Sequence, residues 1–325
     1  MKRNIFALAF LILVLGACNG PDKQVVEETP PLSKWNDTEI KSSIINFVEL
    51  VADKNSPDFV PKKERIAVFD NDGTLWNEKP LYIPIEFELD YIKNTYPSKP
   101  EWKDNKLYKG LGEGNLAVLK GYSTFELLNL LFAAHDGQKE EDYKQSAYQF
   151  LTNGKHRKFN RPFKEMVYSP MVELVHYLQA NNFKVFIVTG GEITFLRTVS
   201  EEIYNIPKEN VIGSSVLLTY HSDGDYLTRT GTINSANDKH IKPTNIDLHI
   251  GRKPIFAAGN SDGDYEMMEY TLSGEGPSMA ILVHHDDDDR EYKYMHGTEK
   301  AVEDARGQGW YVVSMKDDFK EIFKE

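Results

Sequence analysis

The feature that most restricts the fold of this chain is a series of short apolar runs, each stopped by a small or polar residue. Ile66–Phe69 stops at Asp70, Val185–Val188 at Thr189, Ile255–Ala258 at Gly259 and Ala280–Val283 at His284, with Trp310–Val313 as a weaker fifth. Runs this short, without apolar–polar alternation, suit strands buried on both faces, as in a parallel sheet. Helical patterns lie between them, at Met171–Leu178, Ile193–Ile203 and Tyr265–Thr271. Strands alternating with helices predict an open α/β sheet. Ligands of such sheets bind beyond the carboxyl ends of the strands, so the residues that stop the runs are the ones to inspect.

Residues 77–165 break this pattern. They are rich in aromatics and helix formers, among them Phe87, Tyr91, Trp102 and Tyr122, and show no buried strand run. The expectation is a mostly helical insertion with its own core, interrupting a body formed by residues 34–76 and 166–325. Val216–Tyr220 and Tyr226–Thr230 flank His221-Ser222-Asp223-Gly224-Asp225, and Asp-Gly between strand-like segments predicts a hairpin.

Composition narrows the function. Hydrophobic residues at 40% are enough for a sizeable core and exclude wholesale disorder. The 38 basic and 50 acidic side chains leave a net charge of −12, which argues against a nucleic-acid partner. A single cysteine excludes an internal disulfide framework and a cysteine-rich zinc site.

Asp70-Asn71-Asp72-Gly73-Thr74-Leu75 follows the first run. Residues i and i+2 of an extended chain point the same way, so Asp70 and Asp72 can reach one small volume, and Gly73 permits a sharp exit. Two close carboxylates repel unless a cation or a shared proton relieves them. A divalent cation with oxygen ligands is the natural partner, and magnesium suits one or two carboxylates with water and a substrate phosphate. A calcium loop of the EF-hand kind needs Gly at position six and Glu at twelve. Counted from Asp70 those positions are Leu75 and Leu81, and from Asn260 they are Tyr265 and Thr271, so both registers fail.

Asp-x-Asp-Gly-Thr after a buried strand resembles motif I of the haloacid dehalogenase (HAD) superfamily. Thr189-Gly190-Gly191, closing the second run, resembles motif II. Gly259-Asn260-Ser261-Asp262-Gly263-Asp264, closing the third, resembles the acidic motif IV. The resemblance implies a Rossmann-like core with a parallel sheet and a phosphoaspartyl mechanism. Asp70 would be the nucleophile, and Asp72 the acid and then the base. Thr189, Gly190 and a lysine would hold the phosphoryl group, a hydroxyl and the N–H groups of a helix start meeting its oxygens. Mg²⁺ would be bound through Asp70, the backbone carbonyl of Asp72 and motif IV, here Asn260 and Asp264. Lys242 and Lys253 compete for the lysine role. Lys242 is preferred because Lys253 directly precedes the third strand and should sit at its opposite end. Asn260 stands where related phosphatases usually carry Asp, which removes one negative charge and predicts weaker metal binding.

An insertion between motifs I and II is the position of a C1-type cap, so the chain is similar to the phosphoserine-phosphatase-like branch. That branch carries a Glu shortly after motif I to hold a substrate amine. Here Glu78 comes one position early and Lys79 stands at the expected place. The expected activity is therefore Mg²⁺-dependent hydrolysis of small phosphomonoesters. The alternative is a non-catalytic protein of the same fold that binds a phosphorylated ligand or a partner protein. His284-His285, ahead of the acidic run Asp286–Asp289, are read as polar residues at a strand end that point to opposite faces, with a second metal site as the competing reading.

Lys2 and Arg3 precede an apolar run from Ile5 to Leu15, the pattern of a signal peptide. Leu15-Gly16-Ala17-Cys18 resembles the lipobox of bacterial lipoproteins, in which the cysteine is lipidated. The expectation is a signal peptide over 1–18 and a flexible tether over 19–33. The folded body would then be lipid-anchored and extracytoplasmic in a bacterial cell envelope, on the periplasmic side or the outer membrane. Acyl chains contribute about 0.8 kcal/mol per buried CH₂ to such an anchor.

Overall fold

The computed structural model describes residues 30–122 and 124–324. In chain order the body opens with α1 (Glu39–Ala52) and β1 (Ile66–Phe69). The insertion follows with α2 (Ile83–Thr95), α3 (Lys106–Gly112), α4 (Thr124–Ala133) and α5 (Glu140–Asn153). The body resumes with α6 (Ser169–Ala180), β2 (Lys184–Glu192), α7 (Ile193–Arg197), α8 (Ser200–Tyr204), β3 (Val211–His221) and β4 (Tyr226–Ser235). It closes with α9 (Ile241–Ile250), β5 (Phe256–Gly259), α10 (Tyr265–Leu272), β6 (Met279–His284), α11 (Glu299–Asp304), β7 (Tyr311–Ser314) and α12 (Met315–Asp318).

The seven strands form one sheet in the order β4-β3-β2-β1-β5-β6-β7. Every pairing is parallel except β3 with β4. β1 lies in the middle, Phe69 opposite Ile187 of β2 and Ala258 of β5. This register brings Asp70, Thr189 and Gly259 to one edge of the sheet, as the ends of the apolar runs predict.

All four residues of β1 are buried, and they alternate between two cores. Ala67 and Phe69 join a cluster with α1 (Ile44, Phe47, Val48) and α6 (Met171, Leu174, Leu178). Ile66 and Val68 join another with Ile246 of α9 and Met267 and Met268 of α10. A strand period of two delivers side chains to both faces, and helices on each face make three layers. Full burial of a large aliphatic or aromatic side chain is worth about 1.5–3 kcal/mol, so the apolar runs hold the strand ends in place.

Three local expectations are corrected. Ile193–Ile203 is two short helices, because the Val199 and Thr198 amides bond three residues back, to Leu196 and Phe195, and the Thr198 hydroxyl also binds the Phe195 carbonyl. The hairpin's first strand begins earlier than its apolar pattern, at Val211, and pairs parallel with β2 before turning to β4. The tether expected over 19–33 ends sooner: Leu32 is buried, and the Ser33 amide and hydroxyl both donate to Glu173 at 2.9 and 2.7 Å. Cys18 and the signal segment lie outside the described residues.

The insertion has a core of its own around Leu89, Trp102, Leu107 and Leu131. Its last helix does not belong to that core: Tyr143, Ala147 and Leu151 of α5 pack into the body. The insertion and the body also share a buried ion network. Arg229 of β4 donates to Glu140 of α5 at 2.8 Å and to Glu192 at 3.0 Å, with its guanidinium 3.7 Å from the Tyr143 ring centroid. Among the described residues no helix is long and apolar enough to cross a membrane.

Candidate active site

The end of β1 places Asp70 and Asp72 as the i, i+2 rule requires, both buried. The turn after them is tight. Gly73 has φ +78°, and a Cβ there would meet the Asn260 amide nitrogen at 2.0 Å, so only glycine fits. The Trp76 indole donates to Asp72 Oδ1 at 2.9 Å. On the other side the Thr189 hydroxyl lies 3.4 Å from Asp72 Oδ2. Asp72 therefore stands between the first strand's turn and the end of the second.

Lys242, on α9, is the lysine of the site. Its ammonium donates to Asp70 Oδ1 and to Asp264 Oδ1, both at 2.6 Å, and the side chain is 2% exposed. Lys253 lies away from these acids and donates to the Ser273 carbonyl and hydroxyl. Burial raises Asp70 well above the ordinary carboxylate range, reinforced by Asp264 and opposed by Lys242. Burial likewise raises Asp72, to about 6, although the Trp76 indole pulls the other way. Burial by itself would lower Lys242, but Asp264 and Asp70 outweigh it and hold the ammonium above the usual lysine range.

Two of the expected site elements are already engaged by the protein. Asp264 is held on both carboxylate oxygens. Its Oδ1 is taken by Lys242, and its Oδ2 accepts from the amides of Asn260 and Ser261 and from the Ser261 hydroxyl. It braces the loop after β5 and orients the lysine. Thr189-Gly190-Gly191 does not present an open helix start. β2 runs on to Glu192, whose carboxylate caps α7 by accepting from the Phe195 amide at 2.7 Å, while the Gly191 amide is taken by the Thr189 hydroxyl at 2.9 Å. Thr189 and Gly191 lie beside Asp72, a Cβ at Gly191 falling 3.4 Å from its Oδ2, whereas Gly190 meets no acid among the described residues; the Thr189 and Gly190 carbonyls are pinned by residues with no local pattern to betray them. Asn237 donates to the Thr189 carbonyl at 2.9 Å and Ser214 to the Gly190 carbonyl at 2.7 Å. Trp76 carries no sequence signal: its indole reaches Asp72 only because the 72–76 turn folds back on itself.

The donor set suits a hard cation. Asn260 Oδ1 and Asp70 Oδ2 lie 3.4 and 3.5 Å from one hydroxyl, that of Thr74, which has a single proton to give. Oxygens gathered in this way and short of donors are what Mg²⁺ prefers. Among the described residues no three His, Cys, Asp or Glu side chains form a metal cluster; the oxygens gathered here are those of Asp70 and the Asn260 amide.

Beside the Gly73 turn, which Glu78 approaches, the Lys79 ammonium sits 3.1 Å from Glu78 and 4.2 Å from the Tyr294 ring centroid. His284 is half-buried at the end of β6, and His285, the next residue, is buried. Among the described residues neither belongs to a group of three His, Cys, Asp or Glu side chains that could hold a metal ion.

A family model for haloacid dehalogenase-like hydrolases matches residues 67–269, well over half of the chain. Among solved structures, a conserved protein of unknown function from Anaerococcus prevotii DSM 20548 is similar with a TM-score of 0.58, at 14% identity, covering 85% of this chain and 91% of that one. A protein of unknown function from Bordetella pertussis Tohama I reaches 0.49 at 16% identity, covering 77% and 98%. A phosphoserine phosphohydrolase-like protein from Francisella tularensis subsp. tularensis SCHU S4 reaches 0.41 at 18% identity, covering 77% and 94%. The first of these is a likeness of fold. Comparison with curated proteins gives no match.

Proposed function

The chain belongs to the haloacid dehalogenase-like hydrolases, and on that footing we propose that it is a Mg²⁺-dependent phosphatase of small phosphomonoesters, working through an aspartyl-phosphate. The observation that carries this reading is the arrangement of Asp70, Asp72, Thr189 and Lys242 around one volume, with an ammonium 2.6 Å from the first acid and a hydroxyl 3.4 Å from the second.

In the first step a carboxylate oxygen of Asp70 forms a bond to phosphorus, and the bond from phosphorus to the substrate oxygen breaks. Asp72 gives its proton to that leaving oxygen. In the second step Asp72 takes a proton from water, the water oxygen bonds to phosphorus, and the Asp70–phosphorus bond breaks to free inorganic phosphate. One carboxylate serves as nucleophile and the other as acid and base. The burial that raises Asp72 to about 6 suits a group that must hold and release a proton near neutral pH. Lys242 and the Thr189 hydroxyl hold the transferring group's oxygens. Asp70, the Asp72 carbonyl and Asn260 would hold Mg²⁺, which supplies charge compensation for the phosphoryl oxygens.

Lys79 bears on the substrate. It already occupies the carboxylate of Glu78, so an amine-bearing ester such as phosphoserine would have to displace a tethered ammonium. Small phosphomonoesters without an amine are the favoured class.

Cys18 would carry a lipid anchor, making the enzyme extracytoplasmic and membrane-held. Cys18→Ser is expected to move the protein from the membrane to the soluble fraction. The test of the activity is phosphate release from a chromogenic aryl phosphate and a panel of phosphomonoesters, with Mg²⁺ and then EDTA. Chelator-sensitive turnover lost in Asp70→Asn supports the reading. Turnover unchanged in that variant removes the nucleophile. Specific binding of phosphorylated ligands with no turnover would favour the non-catalytic alternative, which the substitution of Asn260 in the acidic motif allows.

A further inference from the structure

His285 lies outside the acid cluster, yet it touches the catalytic turn. Its Nε2 donates to the Gly73 carbonyl at 2.7 Å, across 212 residues of sequence. Its Nδ1 lies 3.4 Å from Glu291 Oε2. Glu291 is fully buried and is itself held: its Oε1 accepts from the Tyr168 hydroxyl at 3.0 Å and from the Asn77 amide, and its Oε2 from the Tyr292 amide. The imidazole is stacked on Tyr294, with ring centroids 4.5 Å apart and planes 24° apart. Every polar atom of this ring is spent on the protein, so His285 has nothing to offer a substrate directly.

The turn it holds needs holding. Gly73 is the residue after Asp72, has φ +78°, and as glycine carries little conformational restraint of its own. Its amide donates to the Trp76 carbonyl at 2.8 Å, and the Trp76 indole in turn donates to Asp72 Oδ1. The turn is thus tied to itself on one side and to His285 on the other.

We propose that His285, held in orientation by Glu291, is a positioning residue that fixes the Gly73 carbonyl and so aims Asp72 at the reacting phosphoryl group. The inference rests on the phosphatase reading, because it assigns Asp72 the proton transfers. A displacement of about 1 Å at a reacting group can cost on the order of a hundredfold in rate, so a brace one residue from the acid–base group controls turnover without touching substrate.

The test compares His285→Ala with His285→Gln in the full chain, a Gln side-chain amide being able to reach the same carbonyl. The readouts are kcat and KM with an aryl phosphate, the melting temperature, and amide hydrogen exchange over residues 70–77. His285→Ala is expected to lose at least about tenfold in kcat with KM within about twofold, and to exchange faster over 70–77. His285→Gln, at a matching melting temperature, is expected to recover most of the kcat and the slow exchange. Equal kcat loss in both variants at matched melting temperature, or unchanged exchange over 70–77 in His285→Ala, overturns the proposal. The exchange measurement reads the brace even if the wild-type chain releases no phosphate, and that second result would count against the phosphatase reading alone.

Discussion

Lys242 and Asp70 meet at 2.6 Å although 172 residues separate them, and the same ammonium reaches Asp264 at the same distance. One buried cation therefore ties the strand that ends at Asp70 to the loop that closes the neighbouring strand. The tie also sets the charge of the site, since a buried acid left without its partner is costly.

Lys242→Met should abolish turnover and also weaken the fold, because it strands two buried carboxylates. Breaking such a buried pair by removing one partner costs about 3–5 kcal/mol. Urea unfolding would measure it. Adding Asp70→Asn to Lys242→Met should recover part of the loss by removing one of the stranded charges, and no recovery would argue that packing rather than charge sets the penalty.

Asn260→Asp should tighten Mg²⁺ on the order of tenfold, since charge count tunes affinity at oxygen sites. Without metal the same change should lower stability, because it adds a buried carboxylate near Asp70. A thermal-shift titration with Mg²⁺, run beside a sample in EDTA, reads both effects. A variant indistinguishable from the wild type in both series would remove residue 260 from the metal site.

Asp72 predicts a pH dependence of the metal-free protein. Burial raises its pKa from the ordinary 3.8 to about 6 in the fold, so the folded state binds the proton more readily than the unfolded chain. The stability this gives is fully present below about pH 4 and is lost as pH rises through about 6, a total of up to about 3 kcal/mol. In EDTA, Asp72→Asn should flatten that window and be more stable than the wild type at pH 7.5 while losing turnover. Denaturation curves at pH 4 and pH 7.5 decide it.

Arg229→Met should cost about 3–5 kcal/mol, because Glu140 on the insertion and Glu192 on the body both lose their buried partner. The loss should be partly relieved by adding Glu140→Gln. Exchange measurements should show α5 and the start of α7 loosening together, since both carboxylates sit there. Loosening confined to the β4 hairpin would contradict the shared lock.

Much of this architecture was legible because the signals are local. Ile66–Phe69, four apolar residues without alternation, is the central strand to the residue. Residues at or just after three of the stops, Asp72, Thr189 and Asn260, come close to one turn, because a parallel sheet lines its strand ends along one edge. Glycine at 73, demanded by φ +78° and by the Asn260 amide 2.0 Å from where a Cβ would stand, was visible as a residue type but not as a contact. The expectation that Lys253, directly ahead of the third strand, sits at that strand's opposite end also rested on local order, and Lys253 lies away from the acids, at Ser273.

Other assignments had no local trace. Asp264 and Asn260 sit in one acidic loop, and sequence offered both as ligands; only the fold brings Lys242, Asn260 N–H and Ser261 onto Asp264 and fills both its oxygens. His285 looked like the polar end of a strand until the sheet carried it to Gly73. Ser214 and Asn237 pin the second strand's end from residues with no motif at all. The sequence by itself determined which segments are strands and which residue types stand at their tips, because burial period and turn chemistry act over a few residues. The tertiary structure alone decided which polar atom each of those residues meets, because hydrogen bonds and ion pairs select partners by distance in space, and residues hundreds of positions apart become neighbours only when the sheet is assembled.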